Sequence, residues 1–172
     1  MYSTMDLSAL IKAFPNSAFS RWRLNFILHR VIPFNRPHKL EVLEIDDQRC
    51  RVLLPYRKKN LNHIKGLHAC AQTTAAEYAS GLWLLHRLGF KKYRIIMKKI
   101  SAVYHYQAKA SAVAEYSMSS QDLETKVLAP LEKEGKVYLL CRIELKGEDG
   151  AHYSTVTTEW QVKRWDLVKT KM

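Results

Sequence analysis

Several chain classes are excluded by what this sequence has little of. Its three cysteines (Cys50, Cys70, Cys141) lie far apart with no CxxC pair, which argues against a zinc ribbon, a thioredoxin-like redox site or a disulfide framework. Six glycines and five prolines are too few for low-complexity or collagen-like sequence. No apolar run approaches the roughly 18 residues of a membrane-spanning helix. In the first 35 residues Lys12, Arg21, Arg23 and Arg30 interrupt every apolar stretch, so no secretory leader is read there. There is no GxSxG elbow, phosphate-binding glycine loop or dinucleotide fingerprint. His63 and His68 stand five apart with no supporting Cys or Asp, so no metal site is expected. The expectation is a cytoplasmic protein with free thiols, no membrane span and no cofactor of its own.

Acidic residues are also scarce. Asp plus Glu total 16 against 28 for Lys plus Arg, a formal net charge of +12. Such a balance attracts phosphates of any kind: nucleic acid, anionic lipid, or the nucleotide end of coenzyme A. The cations cluster at Arg57-Lys58-Lys59, Lys91-Lys92 with Arg94, Lys98-Lys99 and Lys163-Arg164. No nucleic-acid motif accompanies them, so a nucleic-acid module ranks third among the functional readings. With 47% apolar residues in 172, one compact domain with a buried core is affordable.

Hydrophobic spacing gives the order of elements. Leu7, Leu10, Ile11 and Phe14 fall at helical spacing, Pro15-Asn16-Ser17 breaks the run, and Trp22, Phe26, Ile27 and Val31 resume it. Residues 40–45 and 50–54 read as two strands joined by a turn at Asp46-Asp47-Gln48. From Leu67 to Leu88 runs the longest helical segment, rich in Ala, Ser and Gly and then apolar nearly all round, with Gly89 placed to end it. Period-two patterns follow at Ile96, Ile100, Ala102 and Tyr104, then from Ser111 to Met118. A helix is expected over 119–133, capped by Ser119 or Ser120. Two last strands, carrying Val137 to Leu145 and Val156 to Val162, are joined through Gly147-Glu148-Asp149-Gly150. Hairpin links imply an antiparallel sheet, and small residues along the long helix imply close packing on it. The expected fold is α+β, a hotdog fold: a six-stranded antiparallel sheet wrapped around a long central helix. Residues 1–34 form an N-terminal helical extension and 35–172 the hotdog domain.

The start of the long helix carries the chemistry. A carbonyl becomes an oxyanion when attacked, and N–H groups at a helix N-terminus, here those of Ala69 and Cys70, are oriented donors for it. A carboxylate must attack or activate water, and Glu77, an acid inside an alanine-rich stretch without an evident partner, is the candidate. Nine residues of helix rotate Glu77 to the side opposite His68 and about 13 Å along the axis. One chain therefore does not easily bring both to one substrate atom, whereas two chains with antiparallel central helices could.

The sequence resembles the hotdog-fold acyl-CoA thioesterases and, with Pro33-Phe34-Asn35, Leu54-Pro55-Tyr56-Arg57 and His105-Tyr106-Gln107-Ala108, more closely an uncharacterised hotdog subfamily that shares these landmarks, over roughly residues 33–165. Many members carry an Asn six residues before a His, a Gly-Gly pair after it and an acid nine residues beyond. Asn62, His68 and Glu77 match these positions, while Ala69-Cys70 replaces Gly-Gly, and Gly66 stands one position nearer the His than in the common pattern. The resemblance implies a homodimer with shared sites, with pairing into a dimer of dimers left open, and an acyl-CoA or acyl-carrier thioester as substrate. Asn62 and His68 would orient water and carbonyl, and Arg57, Lys58, Lys59 and Lys91 would meet the coenzyme's phosphates; read without the resemblance, His68 caps or packs at the helix start and Asn62 is a loop or turn residue. The alternative is an acyl- or CoA-binding hotdog protein without hydrolysis.

Overall fold

A computed structural model describes residues 17–169. The helix expected over 5–14 lies outside the described residues. Helix α1 (Ala18–Val31) starts at the Pro15-Asn16-Ser17 break, where Ser17 Oγ accepts the Ser20 N–H at 3.2 Å. Leu24 and Leu28 of α1 enter the same hydrophobic core as the sheet. Asn25 Oδ1 accepts the Val42 N–H at 2.7 Å, and its Nδ2 donates to the Val42 carbonyl at 3.2 Å. A side chain thus pairs with strand backbone as a neighbouring strand would, and α1 covers that margin of the sheet. Asn25→Ala leaves both Val42 groups without these partners. It is expected to cost about 1–3 kcal/mol in urea unfolding, with faster exchange of the Val42 amide.

The strands are β1 (Glu41–Ile45), β2 (Arg49–Leu54), β3 (Tyr93–Tyr104), β4 (Ala112–Ser117), β5 (Lys136–Gly147) and β6 (His152–Arg164). All pairings are antiparallel, in the order β1-β2-β4-β5-β6-β3. Asp46 makes the first turn, its Oδ1 accepting the N–H groups of Gln48 and Arg49 at 2.7 and 2.8 Å. Leu139, Cys141, Ile143 and Leu145 of β5 and Val156, Thr158, Trp160 and Val162 of β6 form buried inward rows, as period two predicts.

Helix α2 (Ala69–Leu88) has 20 residues and so is about 30 Å long. It lies on the sheet's inner face, and the small residues explain how. Ala71, Ala75, Ala76, Ala79 and Ser80 are buried, and a Cβ at Gly81 would stand 3.1 Å from the Trp160 ring. Trp160 Nε1 donates to Ser80 Oγ at 3.1 Å. Gly89, at φ 69°, ends the helix with its N–H on the Leu85 carbonyl at 2.9 Å. A helix laid along a six-stranded antiparallel sheet agrees with the expected α+β architecture.

Two expectations need correction. The helix expected over 119–133 is interrupted: α3 (Ser120–Leu123) and α4 (Ala129–Glu134) flank a π turn at Glu124–Leu128. Pro130 has no N–H to offer the Lys126 carbonyl, and the Ala129 N–H reaches back to Glu124 instead. In β3 the alternation from Ile96 to Tyr104 does not lie on one face. A bulge between Met97 and Lys99 inserts a residue, which reverses the facing of all that follows. Ile100, Ala102 and Tyr104 pair with Thr158, Val156 and Ser154 and share their inward face, whereas Ile96 pairs with Gln161 and turns outward, 48% exposed.

Candidate active site

Two clefts flank α2. The first lies at its N-terminus. Asn62 Oδ1 accepts the N–H groups of Ile64 and Gly66 at 3.1 and 2.9 Å, and the Asn62 N–H bonds the Gly66 carbonyl at 2.8 Å. The Asn62 carbonyl-type oxygen is therefore engaged in folding its own loop. Gly66 is required by a close approach: a Cβ there would stand 2.9 Å from Gln107 Cγ. Gln107 Nε2 in turn donates to the Ile64 carbonyl at 2.9 Å. The Leu67 N–H on the Ala108 carbonyl and the His68 N–H on the Asn60 carbonyl, at 2.8 and 2.7 Å, tie the chain entering α2 to residues 108 and 60. The resulting cleft, about 350 Å³, is lined by Asn62, Ala69, Gln72, Tyr104 and Gln107 among others.

His68, exposed, is the N-cap of α2, and its Nδ1 accepts the Cys70 N–H at 3.0 Å. As an acceptor, Nδ1 carries no proton, which leaves the ring proton on Nε2. Of the two N–H groups expected to face an oxyanion, that of Cys70 is thus already engaged by the neighbouring ring. His68→Ala is expected to cost about 1 kcal/mol in denaturant unfolding through loss of this cap. Tyr104, read from sequence only as a strand residue, donates its hydroxyl to the Ala69 carbonyl at 3.1 Å.

Glu77 lies two turns further on, in the second cleft of about 320 Å³, with Ile32, Phe34, Asn35, Tyr78, Leu82 and Trp160 among its walls. Its carboxyl is half-buried and has no hydrogen bond or ion pair among the described residues. Burial alone raises it above the ordinary carboxylate value of 4.5, since removing a charge from water without a partner favours the neutral form. The same burial pushes the Tyr78 hydroxyl up. Cys70, Thr73, Thr74 and Glu77 form a partly open stripe along α2.

One chain therefore divides the expected site residues. Asn62 and Ala69 line one cleft, Glu77 lines the other, and His68 and Cys70 sit exposed at the helix start. Arg57, Lys58 and Lys59 line neither cleft; Lys58–Asn60 forms a 3-10 turn whose Asn60 carbonyl accepts the His68 N–H at the start of α2. Lys91 follows the opposite end of α2, about 30 Å away.

Asn35, Asn60 and Gln72 escaped the sequence reading as site or support residues, yet all three are buried. Asn60 Nδ2 donates to the carbonyls of His38 and Pro55, each at 2.9 Å. Gln72 Nε2 donates to the Leu67 carbonyl at 3.1 Å, and its Oε1 accepts the Ser154 hydroxyl at 2.8 Å. Asn35 had a signal, the Pro33-Phe34-Asn35 landmark; the other two sit in no pattern.

The family described as a domain of unknown function (DUF4442) matches residues 20–162. This chain belongs to the DUF4442 family. The match begins inside α1, so the DUF4442 unit includes the helix that covers β1. No curated protein matches in sequence. Among solved structures, a protein of unknown function and probable thioesterase from Pseudomonas aeruginosa is 20% identical, with a TM-score of 0.76 over 83% of this chain and 95% of that one. A thioesterase from Haemophilus influenzae is 11% identical, with a TM-score of 0.68 over 92% and 99%. A mutant thioesterase enzyme from Staphylococcus aureus is 14% identical, with a TM-score of 0.63 over 76% and 98%. These likenesses establish a shared fold for this DUF4442 chain, one carried by thioesterases.

Proposed function

We propose that this protein is a hotdog thioesterase that hydrolyses an acyl thioester of coenzyme A or of an acyl carrier, in a site shared by two copies. The observation that carries the reading is Glu77, a partnerless carboxyl in an otherwise largely apolar cleft. In the proposed reaction water adds to the thioester carbonyl carbon as the Glu77 carboxylate takes its proton. The Ala69 N–H receives the resulting oxyanion, and the Cys70 N–H joins it when His68 releases it. Collapse breaks the C–S bond, and the proton on Glu77 passes to the departing thiolate. Ile32, Phe34, Leu82 and Trp160 offer the acyl chain an apolar wall, while Asn62 and His68 orient water and carbonyl.

The dimer is supported by the sheet's two unequal edges. β1 is covered by α1, whereas β3 pairs only with β6 and carries Ile100 and Tyr104, 36% and 44% exposed, on its inward face. Two copies meeting along β3 about a two-fold axis would set their α2 helices antiparallel. Glu77 of one copy would then approach the helix start of the other. Arg57, Lys58 and Lys59 would take the coenzyme's phosphates, with Lys91 supplied by the second copy. Three cysteines without a disulfide suit a cytoplasmic setting.

The test is a panel of acyl-CoA thioesters assayed for released thiol, in parallel with binding by calorimetry. Release with a defined chain-length preference supports the reading. Binding without release favours the second one, an acyl- or CoA-binding protein, for which the occupied Cys70 N–H and the absent Gly-Gly pair speak.

A further inference from the structure

Helix α1 buries Leu24 and Leu28 but turns an aromatic ridge outward. Phe19, Trp22 and Phe26 are 69%, 62% and 46% exposed. Their spacing of three and four residues puts them on one stripe. Their rings are nearly parallel, with centroids 6.1 and 5.7 Å apart. The Arg30 guanidinium covers the Phe26 ring at 4.7 Å. From Ser17 to Leu40 there are five cationic residues (Arg21, Arg23, Arg30, Arg36 and Lys39) and no acid, and all five are exposed. Nothing in the core or the candidate site uses this ridge.

Large apolar side chains held in water beside arginines are the makings of a helix that lies in a lipid–water interface. We propose that α1 docks this protein on an anionic bilayer surface, with Phe19, Trp22 and Phe26 entering the headgroup boundary and Arg23 and Arg30 meeting lipid phosphates. Charge complementarity selects this occupant. A second copy would bring the same five cations face to face. Single-stranded nucleic acid needs open ring faces for its bases, and here the Arg30 guanidinium already lies over the Phe26 ring. No helix among the described residues is long and apolar enough to cross a membrane. The chain continues from the ridge to Phe34, whose exposed ring lines the Glu77 cleft, so docking would bring that cleft close to lipid acyl groups. This last step rests on the thioesterase reading; the docking itself does not.

The experiment is co-sedimentation of the full chain with vesicles of phosphatidylcholine alone or mixed with phosphatidylglycerol, at low and high salt. Binding to the mixed vesicles, weak on the neutral ones and reduced by salt, is expected. Trp22→Ser with Phe26→Ser should lower it at least about tenfold. Arg23→Gln with Arg30→Gln, which leaves Trp22 and Phe26 in place, should lower it about 30-fold. Both variants should keep the parent's circular dichroism and mass in solution. Failure of the parent to bind mixed vesicles at low salt would overturn the proposal, as would undiminished binding by the arginine variant. A change of oligomeric mass in the serine variant would instead make the ridge a contact between copies.

Discussion

Glu77→Gln should lower thioester turnover by about 10²–10⁴-fold, the usual range for removing a general base, and should raise thermal stability at neutral pH. Both effects have the same cause. The carboxyl is held in a cleft where burial opposes its charge and no cation among the described residues offsets the cost. An ionised Glu77 therefore destabilises the folded state, and glutamine removes the charge while keeping the shape. The sign follows from linkage. Because the folded value is raised above the unfolded one near 4.5, the stability contributed by the protonated carboxyl is fully present below about 4.5 and is lost as pH rises through the folded value. The melting temperatures of parent and variant should thus converge in acid and separate with rising pH, the variant being the higher. Turnover runs the other way: the base works only when ionised, so the acid limb of kcat/KM should lie above the ordinary glutamate value. A variant that hydrolyses as fast as the parent removes Glu77 from the chemistry. A variant that is inactive but no more stable would point to a hidden partner for the carboxyl.

Most of the architecture is legible in the sequence because it rests on local signals. Period two sets the inward rows of β5 and β6, an Asp-rich turn joins β1 to β2, and small residues mark α2 as the helix pressed to the sheet. What escaped depends on single residues acting at a distance. The β3 bulge reverses the facing of Ile96 relative to Ile100, and no spacing rule reveals an inserted residue until the partner strand is in place. Pro130 was visible, but a π turn and a simple helix end look alike in sequence. The site was half legible. Glu77 was recognisable as a charge among alanines, whereas Asn35 reaches its cleft only because the Pro33–His38 segment after α1, a 3-10 turn, passes beside α2. Asn62 and His68 show the opposite case: a turn residue and a helix-start cap are readable alternatives at these positions, but not which atoms the bonds take up, Asn62 Oδ1 and His68 Nδ1.

Ile100→Asp is the second large effect, and it tests the shared site rather than the carboxyl. Ile100 pairs with Thr158 on the inward face of the edge strand and stays 36% exposed, since nothing among the described residues covers it fully. In a monomer such a position tolerates a charge. Between two β3 strands related by a two-fold axis, however, each copy would bury an unpaired aspartate against the other. The variant should therefore run as a folded monomer by light scattering, with turnover lowered by at least about 10²-fold, because misplacing the reacting groups removes the benefit of their positioning. Mixing it with Glu77→Gln provides a control. If activity needs only two helices brought together, neither variant restores the other, since one cannot pair and the other has no base. Lys99→Asp sits on the same strand but pairs with Glu159 on the outward side, so it should leave both mass and turnover nearly unchanged. A monomeric Ile100→Asp protein with full activity would mean that each chain carries a complete site. Glu77 would then have to work with the Asn35 side of its own cleft rather than with the helix start of a second copy.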